Sequence, residues 1–347
     1  MSQAADTTRL YDDPSAAHAD AADSGAHVPS PFDPVDPPAE PSRAAEDQPG
    51  SAAQPSRFDD LKQLTKPRIT RMVVITAAIG YFMAPAVLAN GWRDVPWLTF
   101  AIAMVGTALS CMSASAFNQA YERDTDALMT RTRNRPVAAG RVSAAYANKL
   151  GVLLGVAGVG LLAAFGLTLA AALCAFTIVS YAWVYTPMKR TTSLALIVGA
   201  VPGAMPPMIG YAAATDSPGT LGPAAWLLFA VMFVWQIPHF LAIAWLYRDE
   251  YAKADLAMLP VIDPTGTRTF RQTLIGCLLL LPIGLLPTAL GVSGRIYFFV
   301  ALACGLGFLA FAVALVARPT RANARKLFFA SLIYLPVVMA AMLIDRA

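Results

Sequence analysis

The chain has 347 residues, of which 56% are hydrophobic and only 14% charged, against about 45–50% and a quarter in soluble domains. That balance excludes an ordinary soluble protein, because several apolar stretches reach the roughly 20 residues that cross a bilayer. The formal charge of +4 hides two unlike parts: ten acids against three bases up to Arg57, then twelve acids against twenty-three bases.

Residues 1–57 are rich in Ala, Pro, Asp and Ser and poor in aromatic and β-branched residues. Such a segment cannot bury a core and is expected to be a disordered acidic tail. It also lacks the basic and apolar regions of a secretory signal. Residues 58–347 read as one all-α membrane domain. Hydropathy and Gly/Pro punctuation predict nine transmembrane helices near 69–89, 96–117, 146–165, 167–186, 193–214, 223–246, 271–291, 295–317 and 326–344. Only Gly166 and its neighbours divide the third from the fourth. Cys111, Cys174, Cys277 and Cys304 lie in four different spans with no CxxC pair, which argues against a disulfide framework or a thiolate metal site.

The basic residues orient these spans. The segment before the first span and the second, fourth, sixth and eighth connections hold twenty Lys and Arg, whereas the opposite side has only Arg93, Arg295 and Arg346. By the positive-inside rule the N-terminus is cytoplasmic and the C-terminus outside.

Polar chemistry gathers on the predicted cytoplasmic side. The second connection opens with NQAYERDTDALMTRTRNRP, residues 118–136. Asn118, Glu122 and Asp126 fall at i, i+4 and i+8 and share one helix face, a cradle of oxygens for a hard cation such as Mg²⁺. Arg131, Arg133 and Arg135 follow, and guanidinium forks suit phosphate oxygens. Together they point to a diphosphate substrate. Asp124 lies off that face and either joins the metal site or simply pairs with Arg123 or Arg131. The fourth connection adds Tyr185, Lys189 and Arg190. The sixth carries YRDEYAKADLAMLP, residues 247–260; its Asp249 and Glu250 either face the first cluster across a central cavity, or Asp249 forms an i,i+4 surface pair with Lys253. Both acidic clusters follow an even-numbered span, four helices apart, which suggests two similarly arranged halves.

His239, in WQIPHF, is the only histidine outside the tail. A polar side chain within a membrane span is costly; it either ligates a metal, acts as a base, or hydrogen-bonds across the bundle. Pro202, Gly203, Pro206, Pro207 and Gly210 interrupt the fifth span, as a kink or as a groove widened for a long apolar ligand. A secondary transporter or channel is the reading of another class, but it expects charge near the bilayer midplane on broken helices. Here the broken span carries none.

At these residues the chain resembles the UbiA-type intramembrane prenyltransferase superfamily, and within it the protohaem IX farnesyltransferases. The features are the 118–136 run, YTPMKRTT (185–192), VGAVPGAMPPMIGY (198–211), WQIPHF and the run from Glu250 to Val261. The resemblance implies nine helices around a central cavity and Mg²⁺-dependent loss of diphosphate from farnesyl diphosphate. The acceptor it implies is a vinyl group of protohaem IX, with water adding to give the substituent of haem O; haem is then substrate rather than cofactor. By position, Asn118, Glu122 and Asp126 would hold Mg²⁺ and diphosphate, Arg131 and Arg135 would support the leaving group, and Glu250 would match the acid of the second loop. Ala254 stands where much of the superfamily has a further acid, so Asp249 or Asp255 would have to substitute. Aromatic rings such as Tyr181, Trp183 or Trp235 are candidates to face the allylic cation. The implied setting is the bacterial cytoplasmic membrane, with the lipid bilayer as surroundings, no nucleic-acid partner, and room for a downstream haem-modifying membrane enzyme. A quinone-ring precursor is the alternative acceptor.

Overall fold

The computed structural model describes residues 56–88, 92–215 and 220–346. The expected acidic tail lies almost wholly outside them. Its last two residues begin the fold: Ser56 caps helix α1 (Arg57–Thr65), accepting from the Asp59 amide, while Asp59 accepts from the Ser56 amide. This reciprocal capping box satisfies two orphan donors.

Lys66 then adopts a left-handed conformation (φ +46°) and turns the chain into α2 (Pro67–Phe82). Pro67 opens α2, where a missing N–H is harmless. The remaining helices are α3 (Trp97–Tyr121), α4 (Arg123–Leu128), α5 (Ala144–Ala164), α6 (Thr168–Val179), α7 (Thr186–Met188), α8 (Ala195–Ala214), α9 (Pro223–Leu246), α10 (Arg248–Lys253), α11 (Leu259–Ile262), α12 (Thr267–Ala289), α13 (Arg295–Ala317) and α14 (Arg321–Ile344). A π-helical turn, Ser180–Tyr185, joins α6 to α7 without a break. Outside the helices the described residues form turns, short 3₁₀ segments and one isolated bridge between Ser293 and Arg346.

Among the described residues eight helices are long and apolar enough to cross a membrane. They coincide with the second to ninth predicted spans. The first predicted span is represented by α2, whose 16 residues rise about 24 Å, less than the ~30 Å hydrocarbon layer. A 3₁₀ turn, Pro85–Leu88, follows it. Gly166 does separate the third and fourth spans: at φ +77° it makes a left-handed turn that a residue with Cβ would resist.

α2, α3, α6, α8 and α9 enclose a central cavity, while α5 backs α3, and α12, α13 and α14 pack behind α9. α2 and α8 approach through glycine. A Cβ on Gly80 would meet the Pro207 carbonyl and one on Gly210 the Ala77 carbonyl. Small residues are how membrane helices reach such proximity, since lipid offers no hydrophobic drive for association. The prolines of α8 leave it a continuous helix, and Pro202, Gly203 and Pro206 line the cavity.

Candidate active site

The helix ladder continues through the end of α3. The Glu122 amide donates to the Asn118 carbonyl at 2.9 Å and the Asp126 amide to the Glu122 carbonyl at 2.7 Å. Although Glu122 separates α3 from α4, the i, i+4, i+8 face survives. All three side chains are buried, Asn118 and Asp126 with 2% and 1% exposure, and all three line one cavity.

Each oxygen donor meets a different cation. Lys66 Nζ donates to Asn118 Oδ1 at 2.9 Å, and Lys189 Nζ to Glu122 Oε1 at 2.7 Å. Arg135 Nη1 donates to both oxygens of Asp126, at 2.8 and 2.7 Å, and lies 4.0 Å from Glu122 Oε2. Burial alone would raise the Glu122 pKa, but the charge and hydrogen bond of Lys189 outweigh it and hold the carboxyl below its usual value. Lys189 is raised in turn, Glu122 overcoming the burial that would lower it. At Asp126 burial prevails over Arg135 and pushes the carboxyl up. Lys66 is driven down to about 8, by burial first and the Arg135 charge second.

Arg131 also lines this cavity, with its guanidinium 5.1 Å from the Tyr247 ring centroid. Four cations, Lys66, Arg131, Arg135 and Lys189, thus face two carboxylates. Such a surplus attracts a polyanion. The oxygen set of one amide and two carboxylates suits a hard divalent cation. Among the described residues no three His, Cys, Asp or Glu gather as a metal-binding group, since the third member of this trio is an amide.

The polar cavity, about 220 Å³, continues into an apolar one of about 440 Å³. Lys66, Ile69, Tyr181, Tyr185 and Phe240 border both. The deeper part is lined by residues such as Val73, Ala114, Pro206, Gln236 and His239. The two tyrosines come from the π-helical turn, a local widening often found at functional sites. Their ring centroids lie 5.2 Å apart, and Lys189 Nζ sits 4.4 Å from the Tyr185 centroid. Of the three candidate rings for an allylic cation, Tyr181 lines the cavity. Trp183 is exposed and packs on Phe117, and Trp235 stacks on His239.

The second acidic cluster sits differently. Neither Asp249 nor Glu250 lines either cavity. Asp249 is exposed, 2.9 Å from Arg321 and 3.5 Å from Arg248. Glu250 turns to the first loop, where the Thr130 hydroxyl and the Thr130 and Arg131 amides hold its carboxyl below the usual range; its Oε2 is enclosed without a hydrogen bond. Asp255 takes a left-handed conformation (φ +50°). From this segment Tyr251, Leu256 and Met258 do reach the cavity. Arg190 lies outside the lining, over the Tyr121 ring and bonded to the Tyr121 carbonyl. Asp124 pairs with Arg123 at 3.2 Å.

Lys66 is the site residue that sequence reasoning passed over, having counted it only as a topology charge. Its signal was position: it closes α1, and Gln119 binds that helix end through the Gln63 and Leu64 carbonyls.

The fold and site can be set beside known proteins. The model of the "UbiA prenyltransferase family" matches residues 73–333. The chain belongs to that family. A protoheme IX farnesyltransferase of Solibacter usitatus is 43% identical over 291 residues, covering 83% of this chain and 98% of the relative. One of Opitutus terrae is 41% identical, covering 85% and 97%. A UbiA homolog from Archaeoglobus fulgidus bound to GPP and Mg²⁺ shares the fold, with TM-score 0.56 and 14% identity over 82% of this chain and 99% of that one. As a UbiA-family member with eight apolar helices, the chain is a multi-pass membrane protein.

Proposed function

We propose that this chain transfers the farnesyl group of farnesyl diphosphate to a vinyl group of protohaem IX, with addition of water, making haem O and releasing diphosphate. The acceptor rests on the relatives of 41–43% identity, which it matches nearly end to end and which bear that activity as their name. The donor rests on geometry: a cationic chamber opening into an apolar one fits a diphosphate head and an isoprenoid tail.

Mg²⁺, the ion in the Archaeoglobus structure, would be held by Asn118, Glu122 and Asp126 and would neutralise charge developing on diphosphate. Lys66, Arg135 and Lys189 then turn from these oxygens to the phosphates and, with Arg131, supply fixed positive charge as the allylic C–O bond breaks. The apolar chamber keeps water from the allylic cation until the vinyl CH₂ carbon attacks it, and Tyr181 and Tyr185 present ring faces at the junction. The new C–C bond leaves a cation on the carbon next to the porphyrin; water adds there and releases a proton. Glu250 serves by bracing the loop that carries Arg131 rather than by touching metal.

In this reading α2 is a ninth, short span, the N-terminus is cytoplasmic, and the chamber opens to the cytoplasm, a topology that the distribution of Lys and Arg supports. Purified protein incubated with haem, farnesyl diphosphate and Mg²⁺ should give a haem heavier by a farnesyl and a hydroxyl group, and none without Mg²⁺. A prenylated quinone-ring precursor with no haem product would overturn the acceptor.

A further inference from the structure

Ser331 of α14 is fully buried and binds two residues one turn apart on α9. Its backbone carbonyl accepts from Trp235 Nε1 at 2.9 Å, and its hydroxyl lies 2.6 Å from His239 Nδ1. The same hydroxyl lies 2.5 Å from the Phe328 carbonyl oxygen. Two oxygens that close need a proton between them, and only serine has one to give. The proton between Nδ1 and Oγ must then come from the imidazole. His239 is therefore the Nδ1–H tautomer, and Nε2 carries a lone pair.

That lone pair is presented rather than spent. His239 lines the apolar cavity. Among the described residues no hydrogen bond engages Nε2, and it is not among the side-chain atoms sealed off by protein. Trp235 and Phe328 both stack on the imidazole, with centroids 4.7 and 5.3 Å from it. A tilt of the ring would lose the stacks, and a flip would lose the Ser331 bond. An imidazole with one nitrogen donating to a fixed oxygen and the other bare is how proteins orient a metal ligand.

We propose that Ser331 is a positioning residue that fixes His239 so that Nε2 serves as an axial ligand to the iron of the porphyrin acceptor. The inference rests on the reading that the acceptor is an iron porphyrin. It makes the metal, and not only the macrocycle, part of recognition.

The test compares binding of iron protoporphyrin and of metal-free protoporphyrin to the detergent-purified full chain, followed by the Soret band. His239→Ala should weaken iron protoporphyrin on the order of tenfold or more, shift its Soret band, and leave metal-free porphyrin within about twofold. Added imidazole should return the His239→Ala band towards wild type, a rescue that a purely structural role would not show. Ser331→Ala should shift the band in the same direction, while Ser331→Thr, which keeps the hydroxyl, should not. An unchanged band in His239→Ala, failure of imidazole to restore it, or a wild-type band in Ser331→Ala would overturn the proposal. If wild type farnesylates haem yet shows no such differences, the inference alone falls. If it neither binds a porphyrin nor farnesylates one, the functional reading falls with it.

Discussion

The two acidic clusters look alike in sequence and behave oppositely in the fold. Both follow an even-numbered predicted span, and both carry carboxylates, tyrosine and arginine. The first continues its helix ladder through Glu122, so three oxygen side chains stay on one buried face. The second carries its ladder on as well, the Tyr247 amide donating to the Ile243 carbonyl and the Tyr251 amide to the Tyr247 carbonyl, but its acids fall between these positions, with Asp249 turned to solvent and Glu250 to the neighbouring loop. What separates them is not charge content but which positions of the continuing helix carry the acids: the cavity face holds Asn118, Glu122 and Asp126 in the first cluster, Ile243 and Tyr251 in the second. A carboxylate in phase with that face becomes part of the candidate site, and one out of phase pairs where it can.

The largest effect expected from this contrast lies in the first cluster. Glu122→Gln or Asp126→Asn should lower the rate of diphosphate release on the order of 10²–10³-fold, the usual loss when one group stabilising developing charge is removed. Each variant also leaves a buried cation, Lys189 or Arg135, without its anion, and stability should drop by roughly 3–5 kcal/mol for a pair broken on one side. Activity measured at matched folded fraction separates the two effects. Rates within a few-fold of wild type would remove these residues from the site.

Lys66 gives the next effect, through pH. Its pKa is lowered to about 8 from 10.5, by burial and then Arg135, with Glu122 and Asp126 opposing and Lys189 assisting. Below about 8 it is charged and aids diphosphate binding; above it the charge is lost. KM for the prenyl diphosphate should therefore rise as pH passes 8, by up to about tenfold per pH unit. Stability moves the other way between about 8 and 10.5, because the unfolded chain holds that proton more tightly than the folded one. Lys189, raised above its usual value, stays charged through the window. A KM that climbs while thermal stability does not fall is the signature, and Lys66→Met should be weak and flat across the range.

Much of this was legible in the residues alone. Eight apolar runs marked eight helices, and the spacing of Asn118, Glu122 and Asp126 marked three residues that line one cavity, because both signals are local. Three things were not. The π-helical turn at 180–185 leaves no trace in hydropathy, since the apolar run continues through it, yet it brings Tyr181 and Tyr185 to the junction of the chambers. Lys66 gains its place only when α1 folds back and Gln119 and the Asp60–Arg141 pair dock it on the bundle. Ser331 lies in the last span, ninety-two residues from His239, and no periodicity announces a partner at that distance.

The smallest effects belong to the second cluster, where its two acids can be told apart. Glu250→Gln should raise KM for the prenyl diphosphate several-fold, about threefold to tenfold, as expected for a residue acting through the groups it orients. Its carboxylate meets the Thr130 and Arg131 amides, and an amide side chain satisfies those donors less well. Loss of the loop's order should reach Arg131 and appear in binding rather than in Mg²⁺ dependence. Asp249→Asn should change neither kcat nor KM beyond about twofold and stability by no more than ~0.5 kcal/mol, since its pairs with Arg248 and Arg321 are exposed. The comparison breaks if either substitution shifts the Mg²⁺ concentration for half-maximal rate as far as Asp126→Asn does. That outcome would mean the second loop closes over the chamber once substrate is bound, and that both clusters share the ion after all.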